Sequence, residues 1–471
     1  MPIFYRPPTG VAADFIPFYW KGEYHLFYLR DYRDTERHGE GTPWFHLRTR
    51  DFVNFTDCGE ALPRGPAGSQ DLWVFTGSVF EHEGCFHIFY TGHNRNLKDR
   101  PIEGVMHATS PDLEHWTKDE GFFLRAPAEY EPNDWRDPFV FRDETSGSFR
   151  MLLAARHTQG PSRNRGCTAL LSSPDLKTWT VEKPFWSPDS YFTHECPDLF
   201  RVGGWEYLVY STFSESCLTH YRMRRSPEAP WRTPPAADGG DSFDGRAYYA
   251  AKTAGDGTRR FAFGWLPTRT GEKDDGAWQW GGDLVVHELF AQRDGTLRVR
   301  MPDAIRASFN QTAPFTATPQ LGAWRTQGST LACEAAGRHS RISLGALPNE
   351  CLLETTLTLE AAARAGLLLR SSESADAYYQ LRLEPQRGRV VIDRWPRPGD
   401  QSFMLERPVE FRRGEPIRLQ VLVSGTCLVA YINDRVALSC RMYEHTGGTW
   451  GAFVEDGAVE FSSITLRTRG T

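Results

Sequence analysis

The sequence predicts an all-β protein, in which a five-bladed β-propeller over residues 1–310 precedes a β-sandwich over residues 311–471. Three observations lead to this prediction: a composition typical of strands and turns, a turn signature that recurs at regular spacing, and apolar runs paired across glycine-containing turns. The 471 residues include 42 Gly, 31 Pro, 15 Trp, 17 Tyr and 30 Phe. Aromatic residues favour strands, whereas Gly and Pro favour the turns between them.

The recurring signature is an Asp that stands two positions after a small polar residue and directly before Phe or Leu, with an aromatic residue three positions after that Phe or Leu. Asp51, Asp112 and Asp175 hold the same place in three copies, 61 and 63 residues apart, and a degraded fourth copy ends at Trp231. Because an Asp at such a position commonly closes a turn with its own side chain, we interpret these three as structural. A repeat of this length is typical of propeller blades.

Between these copies, five segments have the pattern of a β-hairpin, with two apolar or aromatic runs flanking a turn. They are IPFYWKGEYHLFYL, SVFEHEGCFHIFYTG, PFVFRDETSGSFRMLLAAR, PDLFRVGGWEYLVYS and YAAKTAGDGTRRFAFGWL. Four of the five are followed by the signature or its remnant, which predicts five four-stranded blades around a central channel.

The C-terminal third loses the signature and changes character. Short alternating runs such as YYQLRLEP and GRVVIDRW, punctuated by turns, predict a β-sandwich. The segment Arg300–Gln320 is richer in Pro, Thr and Ser and has weak periodicity, so we expect the junction between the two parts there.

Charge and cysteine content exclude several classes of protein. The net charge is −6, the pI is about 6.2, and there is no Lys/Arg run of the kind that neutralises phosphates, so nucleic acid is not an expected partner. No apolar stretch approaches the ~20 residues that span a bilayer, and the N-terminus lacks the pattern of a signal peptide. Nine cysteines without a CxxC pair indicate reduced thiols. We therefore expect a cytoplasmic protein with no membrane partner.

Three acidic residues fall at equivalent places on the repeat. In a propeller the first strand of each blade lines the channel, so residues just before these strands converge at one mouth. Asp14, Asp137 and Glu195 hold three of the five positions. Neighbouring desolvated carboxylates have pKa values that are driven apart, which suits glycosidic bond cleavage by one protonated and one ionised carboxyl group. Glu195 is the candidate proton donor, and the aromatic surplus suits sugar binding.

The remaining positions and neighbours carry weaker indications. Thr76 and Ser78 open the second hairpin and Tyr249 opens the fifth. Asp137 next to Arg136 is also consistent with a plain surface ion pair. His194 is more often a packed histidine than a ligand, and the sequence around it lacks the second His of an HExxH zinc motif. We therefore do not predict a zinc site here.

Several motifs resemble glycoside hydrolase family 32, the fructofuranosidases and fructanases, which are related to the family 43 and family 68 furanosidases. The resemblance covers Ala13 to about Ala304 and lies in a set of ordered segments. ADFIPFYWKGEYHLFYL is similar to the family's opening motif and its next strand, FTGSVF to Phe-Ser-Gly-Ser, WRDPFVF to Arg-Asp-Pro, ECPDLF to Glu-Cys-Pro, and YYAAKT and FGWL to elements of the fifth blade.

The resemblance implies a nucleophile at Asp14, a general acid/base at Glu195 and a transition-state stabiliser at Asp137, which with Arg136 binds sugar hydroxyls. The implied reaction is retaining hydrolysis through a covalent glycosyl-enzyme, which requires neither a metal nor an organic cofactor. We predict that the sugar also contacts the side chains of Phe75, Thr76, Ser78, His194 and Tyr249.

The substrate is less constrained than the chemistry. Ala13, Phe15 and Ile16 replace polar residues of the family's opening motif, and His194 stands where Trp is usual. Terminal β-fructofuranosides on an oligosaccharide or a small glycoside are the expected substrate. A family 43-like glycosidase acting on sugars such as arabinofuranosides, and a sugar-binding protein without catalysis, remain the alternatives. The sequence does not indicate an oligomeric state.

Overall fold

The computed structural model describes residues 2–237, 239–360 and 362–470, which fold almost wholly into antiparallel strands. The N-terminal part of this described chain contains five consecutive meanders of three or four strands each, in which every strand pairs with the next. The first three meanders comprise β1 (Val11–Trp20), β2 (Glu23–Asp31), β3 (Trp44–Thr49) and β4 (Thr56–Leu62); β5 (Trp73–His82), β6 (Cys85–His93), β7 (Glu103–Ser110) and β8 (Thr117–Lys118); and β9 (Tyr130–Arg142), β10 (Phe149–His157), β11 (Gly166–Ser173) and β12 (Thr180–Val181).

The last two meanders and the few helical turns complete this part. The strands are β13 (Glu195–Val202), β14 (Trp205–Thr212) and β15 (Leu218–Arg224), then β16 (Tyr249–Gly255), β17 (Arg260–Arg269), β18 (Trp278–Ala291) and β19 (Leu297–Arg300). The α-helices are α1 (Thr35–His38) and α2 (Asp303–Ser308), and the 3₁₀ turns of the whole described chain are Ser162–Asn164, Thr270–Glu272 and Pro385–Arg387.

The first strands of the five meanders contact one another in a closed ring. β1 packs against β5, β5 against β9, β9 against β13, β13 against β16, and β16 against β1. The last meander is also hydrogen-bonded to the first, where Ala12 on β1 pairs with Gly282 on β18. The chain therefore brings the starts of five distant hairpins to one centre.

A break in strand pairing occurs on all five first strands, at the height where the acidic residues lie. The register shifts fall between Ala13 and Ile16, Phe75 and Gly77, Arg136 and Phe139, Glu195 and Asp198, and Tyr249 and Lys252. In four of the five breaks a non-glycine residue has left-handed backbone geometry: Asp14 (φ 43°), Asp137 (φ 58°), Cys196 (φ 52°) and Ala250 (φ 50°). Such bulges redirect side chains and cost conformational energy, and both features are common beside functional sites.

The signature Asp residues close turns, as the sequence predicts. Asp51, Asp112 and Asp175 each accept backbone N–H bonds from the residues two and three positions later. The apolar residue after each Asp has a φ of 62°, 69° and 62° and is buried. The structural interpretation of these three carboxylates is confirmed.

The C-terminal part consists of two antiparallel sheets. The strands are β20 (Gln311–Ala313), β21 (Thr318–Leu321), β22 (Trp324–Gln327), β23 (Thr330–Glu334), β24 (His339–Ala346), β25 (Glu350–Glu360), β26 (Arg364–Ser371), β27 (Tyr378–Glu384), β28 (Arg389–Trp395), β29 (Leu405–Pro408), β30 (Ile417–Ser424), β31 (Cys427–Ile432), β32 (Val436–Arg441), β33 (Thr449–Glu455) and β34 (Ala458–Thr468). One sheet has the order β22-β23-β34-β25-β30-β31-β32, with β20 paired to β34, and the other has the order β21-β24-β33-β26-β27-β28-β29.

Buried polar contacts join the two parts. Arg441 on β32 is 1% exposed, forms an ion pair with Asp283 on β18, and donates to the carbonyls of Leu266 and Pro267 at 2.7 and 3.0 Å. Asp283 also accepts two bonds from Arg6, at 2.6 and 3.0 Å. Because one hydrophobic cluster extends through both parts, this ion pair sits within a continuous packed interface.

We expect Asp283→Ala to destabilise the protein by about 3–5 kcal/mol, because it strands the buried Arg441 guanidinium without its counter-charge. The measurement is the shift of the urea midpoint followed by tryptophan fluorescence. Glu23→Gln is the matched control, since Glu23 pairs only with exposed or half-exposed arginines and its loss should cost less than about 1 kcal/mol. Equal midpoints for the two variants would contradict the role assigned to the Asp283 pair.

Candidate active site

The three acidic residues predicted from the repeat line one cavity of about 280 Å³ at the ring of first strands. The cavity is walled by residues from all five meanders: Asp14, Phe75, Thr76, Arg136, Asp137, Glu195, Cys196, Phe213, Tyr249, Ala250 and Trp280. The side chains that converge here are more than 230 residues apart at the extremes. The acids themselves lie in strands and not ahead of them, because β1 begins at Val11, β9 at Tyr130 and β13 at Glu195.

Asp14 is held by two neutral donors. Thr76 Oγ1 donates to Asp14 Oδ2 at 2.7 Å, and Trp265 Nε1 donates to Asp14 Oδ1 at 2.9 Å. Burial raises the pKa of Asp14 to about 6, and the charge of Glu195 adds to the increase, although both hydrogen bonds oppose it. Both carboxylate oxygens are thus oriented by donors, and the group titrates close to neutral pH.

Asp137 is 4% exposed and takes part in two hydrogen bonds that are donated by backbone N–H groups. The Cys196 N–H donates to Asp137 Oδ2 at 2.9 Å, and the Asp137 N–H donates to Thr91 Oγ1 at 2.8 Å. Burial raises the pKa of Asp137 to about 7, because it outweighs the nearby Arg136 guanidinium. The left-handed geometry of Cys196 aims its N–H at this carboxylate, so the bulge on β13 fixes a residue on β9.

Both carboxylate oxygens of Glu195 accept hydrogen bonds from neighbouring side chains. Arg136 Nη2 donates to Glu195 Oε1 at 3.0 Å, and the Tyr249 hydroxyl donates to Oε2 at 2.5 Å. Its side chain remains 19% exposed and faces the cavity. A carboxyl group that is held at both oxygens and still open to the cavity can exchange a proton with a bound molecule.

Arg136 interacts with several carboxylates besides that of Glu195. Its guanidinium also donates to Glu103 Oε2 at 3.1 Å and to Asp134 Oδ1 at 2.8 Å, and lies 4.0 Å from Asp137 Oδ2. Burial opposes its charge, but the surrounding carboxylates outweigh burial and hold the pKa of Arg136 well above its usual value. This arginine therefore stays charged, and Asp137 is not in the plain surface ion pair that the sequence left open.

Two residues predicted to contact the sugar lie elsewhere. Ser78 is buried and its Oγ accepts a bond from the Val140 N–H at 3.0 Å, which ties β5 to β9. His194 is fully buried, packs against Trp186 and Tyr210, and its Nε2 lies 3.0 Å from the Ser190 carbonyl oxygen. Burial lowers the pKa of His194 to about 3. Neither side chain is part of the cavity wall, and His194 has the packed environment that is usual for a histidine.

Several residues in or next to the cavity wall are absent from the sequence prediction. Trp265, which donates to Asp14, lies in the FGWL segment and pairs in register with Tyr249. Phe213 and Trp280 add aromatic surface, and Phe213 is 45% exposed. Register with a predicted site residue could have identified Trp265. Phe213 follows the end of β14, and Trp280 lies near the start of β18, and at both places the repeat gives no signal.

Across the three described ranges, no group of three or more His, Cys, Asp or Glu side chains is arranged to hold a metal ion. The same ranges contain no helix with the length and apolar character needed to cross a membrane. The polar side chains that line the cavity carry three carboxyl groups, one guanidinium, and the hydroxyls of Thr76 and Tyr249.

Comparison with known proteins places this geometry in context. Residues 5–297 match the model described as the glycosyl hydrolases family 32 N-terminal domain, and residues 323–468 match that of the family 32 C terminal. Sucrose-6-phosphate hydrolase of Escherichia coli is 24% identical over 455 residues, which cover 93% of this chain and 88% of that protein.

Two further similarities differ in extent. An insoluble β-fructofuranosidase isoenzyme of Arabidopsis thaliana is 26% identical over 326 residues, 63% of this chain, and the match spans only 56% of the plant protein's length. The solved structure of sucrose-6-phosphate hydrolase from Lactobacillus gasseri superposes with a TM-score of 0.77 at 21% identity, covering 100% of this chain and 93% of that one. The last similarity shows that the two chains share a fold.

Proposed function

Because the chain belongs to glycosyl hydrolase family 32, we propose that it is a retaining glycosidase that releases terminal β-fructofuranosyl units. The observation that carries the proposal is the convergence of Asp14, Asp137 and Glu195 on one cavity. The names of the relatives, which include sucrose-6-phosphate hydrolases and β-fructofuranosidases, support a fructoside as the substrate.

We propose that the five meanders are the blades of a five-bladed β-propeller over residues 1–310, and that the two C-terminal sheets form a β-sandwich over residues 311–471. The closed ring of first strands supports the first assignment, since propeller blades surround a central axis with their first strands innermost. The shared hydrophobic cluster supports the second, since sandwiched sheets bury their facing sides.

In the proposed first step, an Asp14 oxygen attacks the anomeric C2 of the fructosyl unit. The C2–oxygen bond to the leaving group breaks, and Glu195 gives its proton to that oxygen, so that a fructosyl ester of Asp14 forms. Thr76 and Trp265 orient the carboxylate and offset part of the cost of burying its charge.

In the proposed second step, Glu195 acts as a base. It takes a proton from a water molecule, whose oxygen attacks C2 and releases Asp14 from the ester. Arg136 and the Tyr249 hydroxyl both donate to Glu195, so they orient its carboxylate for this role. For the first step, the Tyr249 hydroxyl can rotate and accept a bond from the protonated acid.

Asp137 is proposed to bind sugar hydroxyls and not to react. With a pKa of about 7, it carries a proton on a sizeable fraction of molecules at neutral pH and can then donate as well as accept hydrogen bonds. Arg136 adds fixed donors beside it. Phe75 and Trp280 supply apolar surface for the sugar ring, and the small cavity favours a single terminal unit.

We also propose that the protein works in a reducing compartment such as the cytoplasm. All nine cysteines are unpaired and six of them are buried, so the fold uses them as small apolar residues.

We expect Glu195→Gln to lower kcat on sucrose or kestose by about 10³-fold or more, because the amide cannot transfer a proton. Binding of the same sugar, measured by titration calorimetry, should change less than about threefold. Glu83→Gln, at a side chain that is 84% exposed, is the control and should match the wild type. A protein that binds sugar but never turns it over, even as wild type, would favour the binding-protein alternative.

We expect the acid limb of kcat/KM to have an apparent pKa near 6, because Asp14 must be ionised to attack. Thr76→Val removes a bond that favours the ionised form, so the pKa of Asp14 rises and the limb should move up by about one pH unit. Thr465→Val is the matched control, because the Thr465 hydroxyl is buried and has no hydrogen-bond partner among the described residues. An acid limb that does not move in Thr76→Val would show that the limb does not report the ionisation of Asp14.

We expect the released fructose to keep the β configuration when it first appears, as followed by ¹³C NMR before mutarotation. Two displacements at C2 restore the starting configuration, and methanol in the reaction should yield the methyl β-fructofuranoside. First appearance of the α anomer would instead support an inverting, family 43-like reaction. Preferential release of arabinose from aryl arabinofuranosides would redirect the substrate assignment and leave the chemistry intact.

A further inference from the structure

Lys252 is a buried cation beneath the cavity. It lies on β16, two residues after the left-handed Ala250, and is 1% exposed. Its Nζ donates to the Pro197 carbonyl oxygen at 3.0 Å and lies 5.3 Å from the centre of the Phe139 ring. In the described part of the chain, no carboxylate oxygen lies within 4.0 Å of this ammonium. Buried charges are normally matched by an opposite charge, so its counterpart lies further away.

The two contacts of Lys252 locate it relative to the acids. Pro197 follows Glu195 by two residues on β13, and Phe139 follows Asp137 by two residues on β9. The ammonium therefore reaches from β16 to β9 and β13 and contacts each of them two residues beyond an acidic residue.

Asp14 has no cation in contact with it among the described residues. Glu195 and Asp137 both lie within 4.0 Å of the Arg136 guanidinium. Asp14 accepts only the two neutral donors of Thr76 and Trp265, and in the described ranges no cationic nitrogen lies within 4.0 Å of it. A buried ammonium without an anion and a buried carboxylate without a cation thus face the same centre.

Two charged groups near Lys252 have only neutral groups in contact among the described residues. On β13, Asp198 Oδ2 accepts two bonds from Thr253, while its Oδ1 is buried without a hydrogen-bond partner, and this residue does not line the cavity. On β17, Arg260 donates to Thr253 Oγ1 and lies over the Phe200 ring, and the charge of Asp198 raises the pKa of Arg260 against the effect of burial. Cys196 on β13 is buried, and burial raises the pKa of its thiol well above the usual value. On β14 and β15 the remaining charged groups pair with one another or with flanking residues: Glu206 with Arg201 and Arg224, and His220 and Arg222 with Asp241.

We propose that Lys252 is a positioning residue that supplies the counter-charge for Asp14, keeping it ionised for attack on the sugar. The proposal rests on the nucleophilic role of Asp14 in the proposed function. It assigns the two cations at the centre of the ring to different tasks, Arg136 to Glu195 and Asp137, and Lys252 to Asp14.

The electrostatics of Asp14 agree with this division. Burial is the largest influence and raises the pKa of Asp14, while the charge of Lys252 lowers it. A charge acting through the protein interior at about twice contact distance can still shift a pKa by about one unit. Loss of the ammonium should therefore raise the pKa of Asp14 and restrict activity to higher pH.

The test compares Lys252→Met, Lys252→Gln and Lys252→Arg in the full chain. Gln and Arg both keep a donor for the Pro197 carbonyl, and they differ in charge. Lys118→Met is the matched control, because it removes a partly buried lysine that pairs with Asp71 outside the cavity. Thermal melts establish that each variant folds. The first readout is the pH profile of kcat/KM on sucrose.

We expect the acid limb to move up by about one pH unit in Lys252→Met and Lys252→Gln, with kcat/KM reduced about tenfold at pH 5 and less than about threefold at pH 8. Lys252→Arg and Lys118→Met should keep the limb of the wild type. Folded Met and Gln variants with an unchanged limb would overturn the proposal while the glycosidase assignment stands. Failure of both uncharged variants to fold would also overturn it, because Lys252 would then be a structural cation.

A second readout separates this proposal from the proposed function. An Asp14 carboxylate opens the ring of a cyclitol epoxide and forms an ester that peptide mass spectrometry detects, with the epoxide oxygen taking up a proton. The pH dependence of this labelling should shift in Lys252→Met as the kinetic limb does. If the wild type hydrolyses no fructoside, the proposed function fails, and an unshifted labelling profile would independently overturn the role of Lys252.

Discussion

The centre of this molecule depends on one buried guanidinium. Arg136 holds Glu103, Asp134 and Glu195 within hydrogen-bond distance and lies 4.0 Å from Asp137. Carboxylates at this density repel one another and lose hydration, so without the cation they would protonate or move apart. Arg136 lets several of them share one small space and leaves Glu195 facing the cavity.

The backbone converts this electrostatic arrangement into a defined geometry. Each first strand breaks its pairing at the same height, and four of the breaks contain a non-glycine residue with a φ between 43° and 58°. A regular strand would alternate its side chains between the two faces of the sheet, whereas a bulge turns a chosen residue toward the axis and frees backbone N–H groups. The Cys196 N–H that binds Asp137 is one such group. Strain in these bulges is tolerated because the surrounding strands are closely packed.

Much of the fold could be predicted from residues with local consequences. An Asp that bonds to the N–H groups two and three positions later, with a left-handed residue after it, closes a turn through contacts within a few residues, so its spacing reported the meanders directly. Alternating apolar runs likewise indicated the strands, because burial on one face of a sheet follows a period of two. The buried Asp283–Arg441 pair could not be predicted in this way, since it joins residues on different parts of the chain.

The candidate site could likewise be predicted from the sequence only in part. The register of the repeat identified the three acids and Thr76, Arg136 and Tyr249, because equivalent positions in a repeated unit reach equivalent places around a common axis. The bulges, Trp265 as a donor to Asp14, and the inward burial of Ser78 and His194 depend on contacts between strands that are far apart in sequence. The same holds for the raised pKa values of Asp14 and Asp137 and for the position of Lys252. Residue order specifies which chemical groups are present and their local turns, whereas desolvation and charge pairing exist only once five separate strands enclose them.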